Sequence, residues 1–175
     1  MFSHRLKREL EALHDSPPEG IRIVKADDDS SIMKEFSVEI SSQTYKQSKL
    51  TVNIPDRYPL QPPSVRIQTR TFHPNIDAAG NICLDLLKTG PGGWKPAVGL
   101  CGLLLSVKML LDNPNCDDPL NVEAARLYRE DLRLYHQTAL AYSGNQLDQK
   151  GIQEKENTLK TINRLSSNCN SKSRP

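Results

Sequence analysis

His73-Pro-Asn-Ile-Asp-Ala-Ala-Gly-Asn-Ile-Cys-Leu-Asp-Leu-Leu87 combines a stiff start, a turn and an alternating run. Pro74 fixes its own φ and pushes His73 toward extended backbone. Asn75 follows with an amide able to donate two hydrogen bonds. Asp77-Ala-Ala-Gly80-Asn81 is turn material, and Gly80 is free to take a positive φ. If Ile82 to Leu86 is extended, Ile82, Leu84 and Leu86 face inward, and Cys83 and Asp85 face out. A thiol on the open side of a rigid loop, with a primary amide a short turn upstream, suits acyl transfer: the thiol attacks and the amide holds the oxyanion. Most single cysteines are instead small buried hydrophobes. The residues alone leave both roles open for Cys83.

Upstream, Ile21-Arg-Ile23, Phe36 to Ile40, Leu50 to Ile54 and Val65-Arg-Ile67 alternate like half-buried strands. Four short strands with tight connections predict an antiparallel meander. Asp27 to Ser31 reads as a solvated turn. Residues 55–63 hold four prolines and read as a stiff loop. Residues 3–14 carry Leu6, Leu10 and Leu13 at helical spacing, with Ser3 as N-cap and Arg5, Lys7 and Arg8 on the polar side. Ser16-Pro-Pro-Glu-Gly20 stops that helix.

Downstream, Thr89 to Gly93 reads as a flexible insertion. Leu100, Leu103, Leu104, Val107, Leu110 and Leu111 predict a central buried helix, with Cys101 in the core, ended by Asn113-Pro114. Residues 121–130 and 131–146 predict two more helices. Their expected anchors are Val122, Ala125, Leu127 and Tyr128, then Leu132, Tyr135, Ala139 and Tyr142. Polar residues dominate from 147 on. The expected organisation is a core over 1–146 and a partly helical or disordered C-terminal extension over 147–175.

A chain of 175 residues is most simply one domain. A net charge of +2 makes no case for nucleic acid or a membrane surface. Four cysteines without a CxxC pair argue against zinc and suggest no disulfide framework. No secretory h-region opens the sequence, and the apolar runs are too short for a bilayer span. The expectation is a protein of the reducing cytosol or nucleus.

His73-Pro74-Asn75, then Gly80, Ile82-Cys83-Leu84-Asp85, Trp94 and Pro114-Asn115-x-Asp117-Asp118-Pro119-Leu120 resemble the ubiquitin-conjugating enzymes, the E2 family. Tyr58-Pro59-x-x-Pro62-Pro63 is similar to the same family, and the likeness runs over roughly residues 3–146. It implies the α+β ubiquitin-conjugating fold: an N-terminal helix, a four-stranded antiparallel sheet, a central helix and C-terminal helices. It also implies two acyl transfers. Cys83 takes ubiquitin as a thioester from the activating enzyme, E1, and a substrate lysine then takes it from Cys83 with a RING-type E3 ligase. ATP is used upstream, so no cofactor is implied. A thiol with a pKa of ~8.5 supplies some thiolate at neutral pH without a partner base.

The same resemblance assigns further roles. Asn75 stabilises the oxyanion or orders the loop that does. His73 braces the loop, with general base as the alternative. Asp118 orients the incoming lysine, and Asp117 is the runner-up or the cap of the next helix. Asp85 is a local acidic contact or a solvated turn carboxylate. Arg5 and Arg8 are contacts for the activating enzyme and ligase, or a plain solvated face. Leu60 stands where the family often has a ligase-docking phenylalanine, or packs under its own loop. Lys95, Pro96 and Ala97 resemble the second ligase-docking loop. Lys88 lies five residues past Cys83, where slow self-modification is expected.

The chain departs from the family in lacking a tryptophan early in the second strand and in connecting strands two and three without glycine. There Tyr45 replaces the usual tyrosine. Cys116 stands where proline is common, as a possible exposed thiol. The insertion, the missing tryptophan and the Arg5-Leu-Lys-Arg-Glu-Leu10 start look like the E2 branch serving the Fanconi anaemia DNA-crosslink repair pathway. That implies monoubiquitination in the nucleus. An E2 for another ubiquitin-like modifier, a non-catalytic E2-like scaffold and a cysteine hydrolase are the alternatives.

Overall fold

The computed structural model describes residues 2–26 and 34–143. Helix α1 (Phe2–Asp15) precedes strands β1 (Ile21–Ala26), β2 (Glu35–Ile40), β3 (Ser48–Asn53) and β4 (Ser64–Ile67). Helices α2 (Gly99–Asp112), α3 (Val122–Glu130) and α4 (Leu132–Ser143) follow. The strands form one antiparallel sheet in the order β1-β2-β3-β4, the meander their alternation predicts. Phe36 lies opposite Val52 and Val38 opposite Leu50, so one face of the sheet is continuously apolar. That face buries Phe36, Val38, Ile40, Leu50, Val52, Val65 and Ile67.

The β2–β3 connection manages without glycine because a side chain closes it. The Ser42 hydroxyl accepts from Tyr45 N at 3.0 Å, and Ser42 N donates to Tyr45 O at 2.9 Å. Tyr45 is buried, and its hydroxyl donates to Phe72 O at 2.5 Å. The connection is thereby tied to the residue preceding His73. The expected turn at Asp27 to Ser31 and the extension over 147–175 lie outside the described residues.

Helix α2 sits on the apolar face, burying Leu100, Leu103, Leu104, Val107 and Leu111 against the sheet and against Leu6 and Leu13 of α1. Each leucine fully removed from water contributes about 1.5–3 kcal/mol. Cys101 is not in the core: it is exposed, on one edge of α2 with Leu105 and Met109. The inward arc is already filled by the five buried residues, and the 3.6-residue period turns position 101 outward.

Other expectations are corrected at helix ends. Helix α1 begins at Phe2, so Ser3 lies within its first turn and is not the cap. Asn121 caps α3 by accepting from Ala124 N at 3.0 Å, which leaves Asp117 no such role. Val122 is 72% exposed and Leu132 49% exposed, because each is the first residue of its helix. Buried Ala124, Leu127 and Tyr135 do the anchoring.

Candidate active site

The loop from His73 to Cys83 is held almost group by group. His73 is fully buried between two partners. Its Nδ1 accepts from Asn75 N at 3.0 Å, so Nε2 carries the proton and donates to Leu110 O of α2 at 3.0 Å. Burial pushes the imidazole down to about 4. A neutral ring with both nitrogens engaged has no lone pair left for general-base work. The histidine braces the loop.

Asn75 is also buried, and its amide clasps the 115 loop from both sides. Its Oδ1 accepts from Asn115 N at 2.8 Å, and its Nδ2 donates to Asn115 O at 2.6 Å. Its backbone oxygen accepts from Cys83 N at 2.9 Å. Asn75 therefore joins the segment carrying Cys83 to the segment carrying Asp118. One N–H of its amide is left for another acceptor.

Between Asn75 and Cys83 the chain makes an Asx turn. The Asp77 carboxylate accepts from Ala79 N, Asn81 N and Asn81 Nδ2 at 2.7–2.9 Å. The Asn81 side chain, then its backbone, hold that carboxyl below the usual range. Gly80 has φ 82°, and a Cβ there would stand 2.1 Å from Ile67 O, so glycine is required.

The run after the turn is not a strand. A single antiparallel pair, Ile76 with Ile82, closes the turn, and Asp85–Leu87 then forms a 3₁₀ turn. Ile82, Leu84 and Leu86 pack on the core as alternation predicts, but so does Leu87. A three-residue period brings Leu87 round beneath Leu84.

Cys83 emerges half-buried, with Asp85 exposed beside it. Lys88 Nζ lies 3.8 Å from Cys83 Sγ and 3.0 Å from Asp85 Oδ1. The hydrogen bond to Asp85, then the sulfur's charge, raise the Lys88 pKa, and exposed Asp118 adds to this. Asp117 is exposed and paired at 3.0 Å with Arg129, which also donates to Cys116 O at 2.6 Å. Cys116 is half-buried rather than open, and burial pushes its thiol up.

A second surface gathers the remaining candidates. Trp94 Nε1 donates to Pro59 O at 2.7 Å, which sets the proline-rich loop beside the 94–97 loop. Leu60 is 59% exposed, so it does not pack under its own loop. Lys95, Pro96, Ala97 and Arg8 are exposed, and Arg5 donates to Pro96 O.

Glu9 was not foreseen from the sequence. Its carboxylate accepts from Arg5 Nε at 2.6 Å, from the Tyr58 hydroxyl at 2.6 Å and from Leu100 N at 2.7 Å. One side chain thus fastens α1, the proline-rich loop and the start of α2. The available signal was its place among Leu6, Leu10 and Leu13, on the inward arc of α1. Glu9→Ala strands a buried hydroxyl and a backbone N–H. It is expected to cost about 2 kcal/mol and to lower Tm by about 4–8 °C. A thermal scan checks this, and an unchanged Tm rejects it.

The model of one protein family, Ubiquitin-conjugating enzyme, matches residues 5–143. The chain belongs to the ubiquitin-conjugating enzyme family. It is 37% identical over 156 residues to Ubiquitin-conjugating enzyme E2 T of Bos taurus, covering 86% of this chain and 78% of the relative. It is 36% identical to the Homo sapiens E2 T over 155 residues, 87% of this chain and 76% of the relative. Ubiquitin-conjugating enzyme E2 13 of Schizosaccharomyces pombe is 36% identical over 129 residues, 73% of this chain and 85% of the relative. This ubiquitin-conjugating enzyme has the four-stranded meander and helices expected of the family's α+β fold, and it is an E2-type transferase like the E2 T relatives. In this E2, the braced 73–83 loop ends at the half-buried Cys83 thiol and is bonded to the 115–118 loop through Asn75 and Asn115.

Proposed function

We propose that this E2 carries ubiquitin as a thioester on Cys83 and passes it to substrate lysines with a RING-type ligase. The observation that supports this best is the Cys83 thiol itself, half-buried at the end of a loop held on both sides by Asn75. In loading, the Cys83 thiolate attacks the acyl carbon held by E1, and the E1 sulfur leaves. In transfer, a substrate amine attacks the same carbon and Cys83 leaves. The free N–H of Asn75 supplies an oxyanion donor, and its two bonds to Asn115 keep that donor in place. Asp118 orients the amine, with Asp85 as a further acidic contact.

Arg5, Arg8, Leu60, Lys95, Pro96 and Ala97 form the surface for E1 and ligase. Neither nucleotide nor metal enters these steps. Likeness to the E2 T proteins, together with the sequence features of the crosslink-repair branch, supports monoubiquitination in DNA-crosslink repair and a nuclear or cytoplasmic location. The test is a charging reaction with E1, ATP and ubiquitin, run on a gel with and without reductant. A reductant-sensitive band on wild type supports the reading. A band only with another modifier, or none with any, favours the other-modifier or scaffold reading.

Lys88 is within reach of the thioester, but Asp85 holds it as an ammonium. Self-modification at Lys88 is therefore expected to be slow. It should rise with pH, since the neutral amine grows about tenfold per unit below its pKa. Asp85→Asn should speed it at any one pH. Mass spectrometry of the charged enzyme checks this, and an unmodified Lys88 beside other modified lysines rejects it.

A further inference from the structure

We propose that the Lys88 ammonium is a catalytic cation that stabilises the negative charge gathering on Cys83 Sγ as the thioester breaks. This rests on Cys83 being the acyl carrier. In transfer, the amine lone pair attacks the acyl carbon and an N–C bond forms. The C–S bond breaks, its electron pair goes to Sγ, and the amine's extra proton passes to water. Sγ is thus where charge appears, and Lys88 Nζ lies 3.8 Å from it.

The cation does not sit on a loose segment. Lys88 N donates to Asp85 O at 2.8 Å, and Lys88 O accepts from Trp94 N at 2.9 Å. Gly93 closes over that oxygen, where a Cβ would stand 2.3 Å away. Asp85 Oδ1 then aims the ammonium from 3.0 Å. The backbone is pinned on both sides, and the side chain is held on the sulfur's side by a carboxylate two residues from Cys83.

The direction of the effect differs between the two steps. In transfer the charge moves onto Sγ, so a fixed cation lowers the barrier. In loading the charge moves away from Sγ, so the same cation gives little acceleration. At about 4 Å and in the high dielectric of an exposed site, loss of one charge corresponds to about 5- to 10-fold in rate.

The full chain is charged with ubiquitin, chased with free lysine at neutral pH, and followed as loss of the reductant-sensitive band. Lys88→Gln should discharge about 5- to 10-fold more slowly than wild type, whereas Lys88→Arg should stay close to wild type. The gap between Gln and wild type should narrow at high salt, as screening weakens the charge. Equal discharge by wild type and Lys88→Gln overturns the inference alone, and so does an equal loss by Gln and Arg, which would mean shape rather than charge. No thioester on wild type overturns the Cys83 reading, and this inference with it.

Discussion

Alanine at Cys83 is expected to abolish the reductant-sensitive band, whereas alanine at Asn75 is expected to leave loading in place and slow transfer to lysine by about 10²–10³-fold. The first follows because a methyl group cannot hold an acyl group. The second has two physical parts. Asn75→Ala removes the second amide N–H, the donor proposed above for the oxyanion. It also removes both bonds to Asn115, leaving that residue's N–H and C=O without their partner. Each stranded group costs about 1–3 kcal/mol when buried, so Tm should fall along with the transfer rate. Asn75→Asp keeps the acceptor for Asn115 N but loses the donor to Asn115 O together with the oxyanion donor, so it tests the two N–H groups apart from the Oδ1 bond. Single-turnover discharge and thermal scans on both variants make the check. A transfer rate unchanged in Asn75→Ala rejects the assignment.

What the sequence made legible was what repeats with a period. The strands alternate, so β2 and β3 were readable nearly to their ends, but alternation fixes only which residues point inward, and the register placing Phe36 opposite Val52 was the least legible part of the sheet. The turn at Asp77 to Asn81 was readable because its chemistry is local. Failures came where a period changed or a partner was distant. Ile82 to Leu86 looks like a strand until the 3₁₀ turn begins, and only the position of Leu87 reveals it. Cys101 sits among leucines, and only its angle around α2 shows that it faces out. Glu9 looks like half of an exposed pair with Arg5, yet two of its three donors come from residues 58 and 100. Lys88 was placed near Cys83 by its spacing alone, but the contacts of Trp94 and Gly93 that fix its backbone come from across the 88–94 loop, which no local pattern encodes. Fold was therefore more legible than site geometry, because the site is built from bonds between segments.

Acidification is expected to remove about 3 kcal/mol of stability through His73 alone. In the unfolded chain the imidazole takes a proton near pH 6.5, and in the folded chain only near about 4. The folded pKa is depressed, so the contribution is fully present above pH 6.5. It is lost as pH falls toward 4, where the unfolded state binds the extra proton. Each unit of difference is worth about 1.4 kcal/mol, which gives the total for a ring this deeply buried. The proton has no place to go, because Nδ1 is filled by the Asn75 N–H and Nε2 already donates to Leu110 O. Protonation must break the Asn75 bond, and Asn75 holds both Cys83 N and the 115 loop. Urea unfolding between about pH 7 and 4.5 checks this on wild type and His73→Gln. Wild type should lose stability more steeply, by up to one proton's worth, about 1.4 kcal/mol per pH unit. Equal slopes reject the assignment. The carboxylates lowered by their neighbours, such as Asp77, titrate in both proteins and cancel in the comparison. Burial keeps the proton off His73, and because protonation would break the Asn75 bond, the same titration sets the acid limit of the loop that presents Cys83.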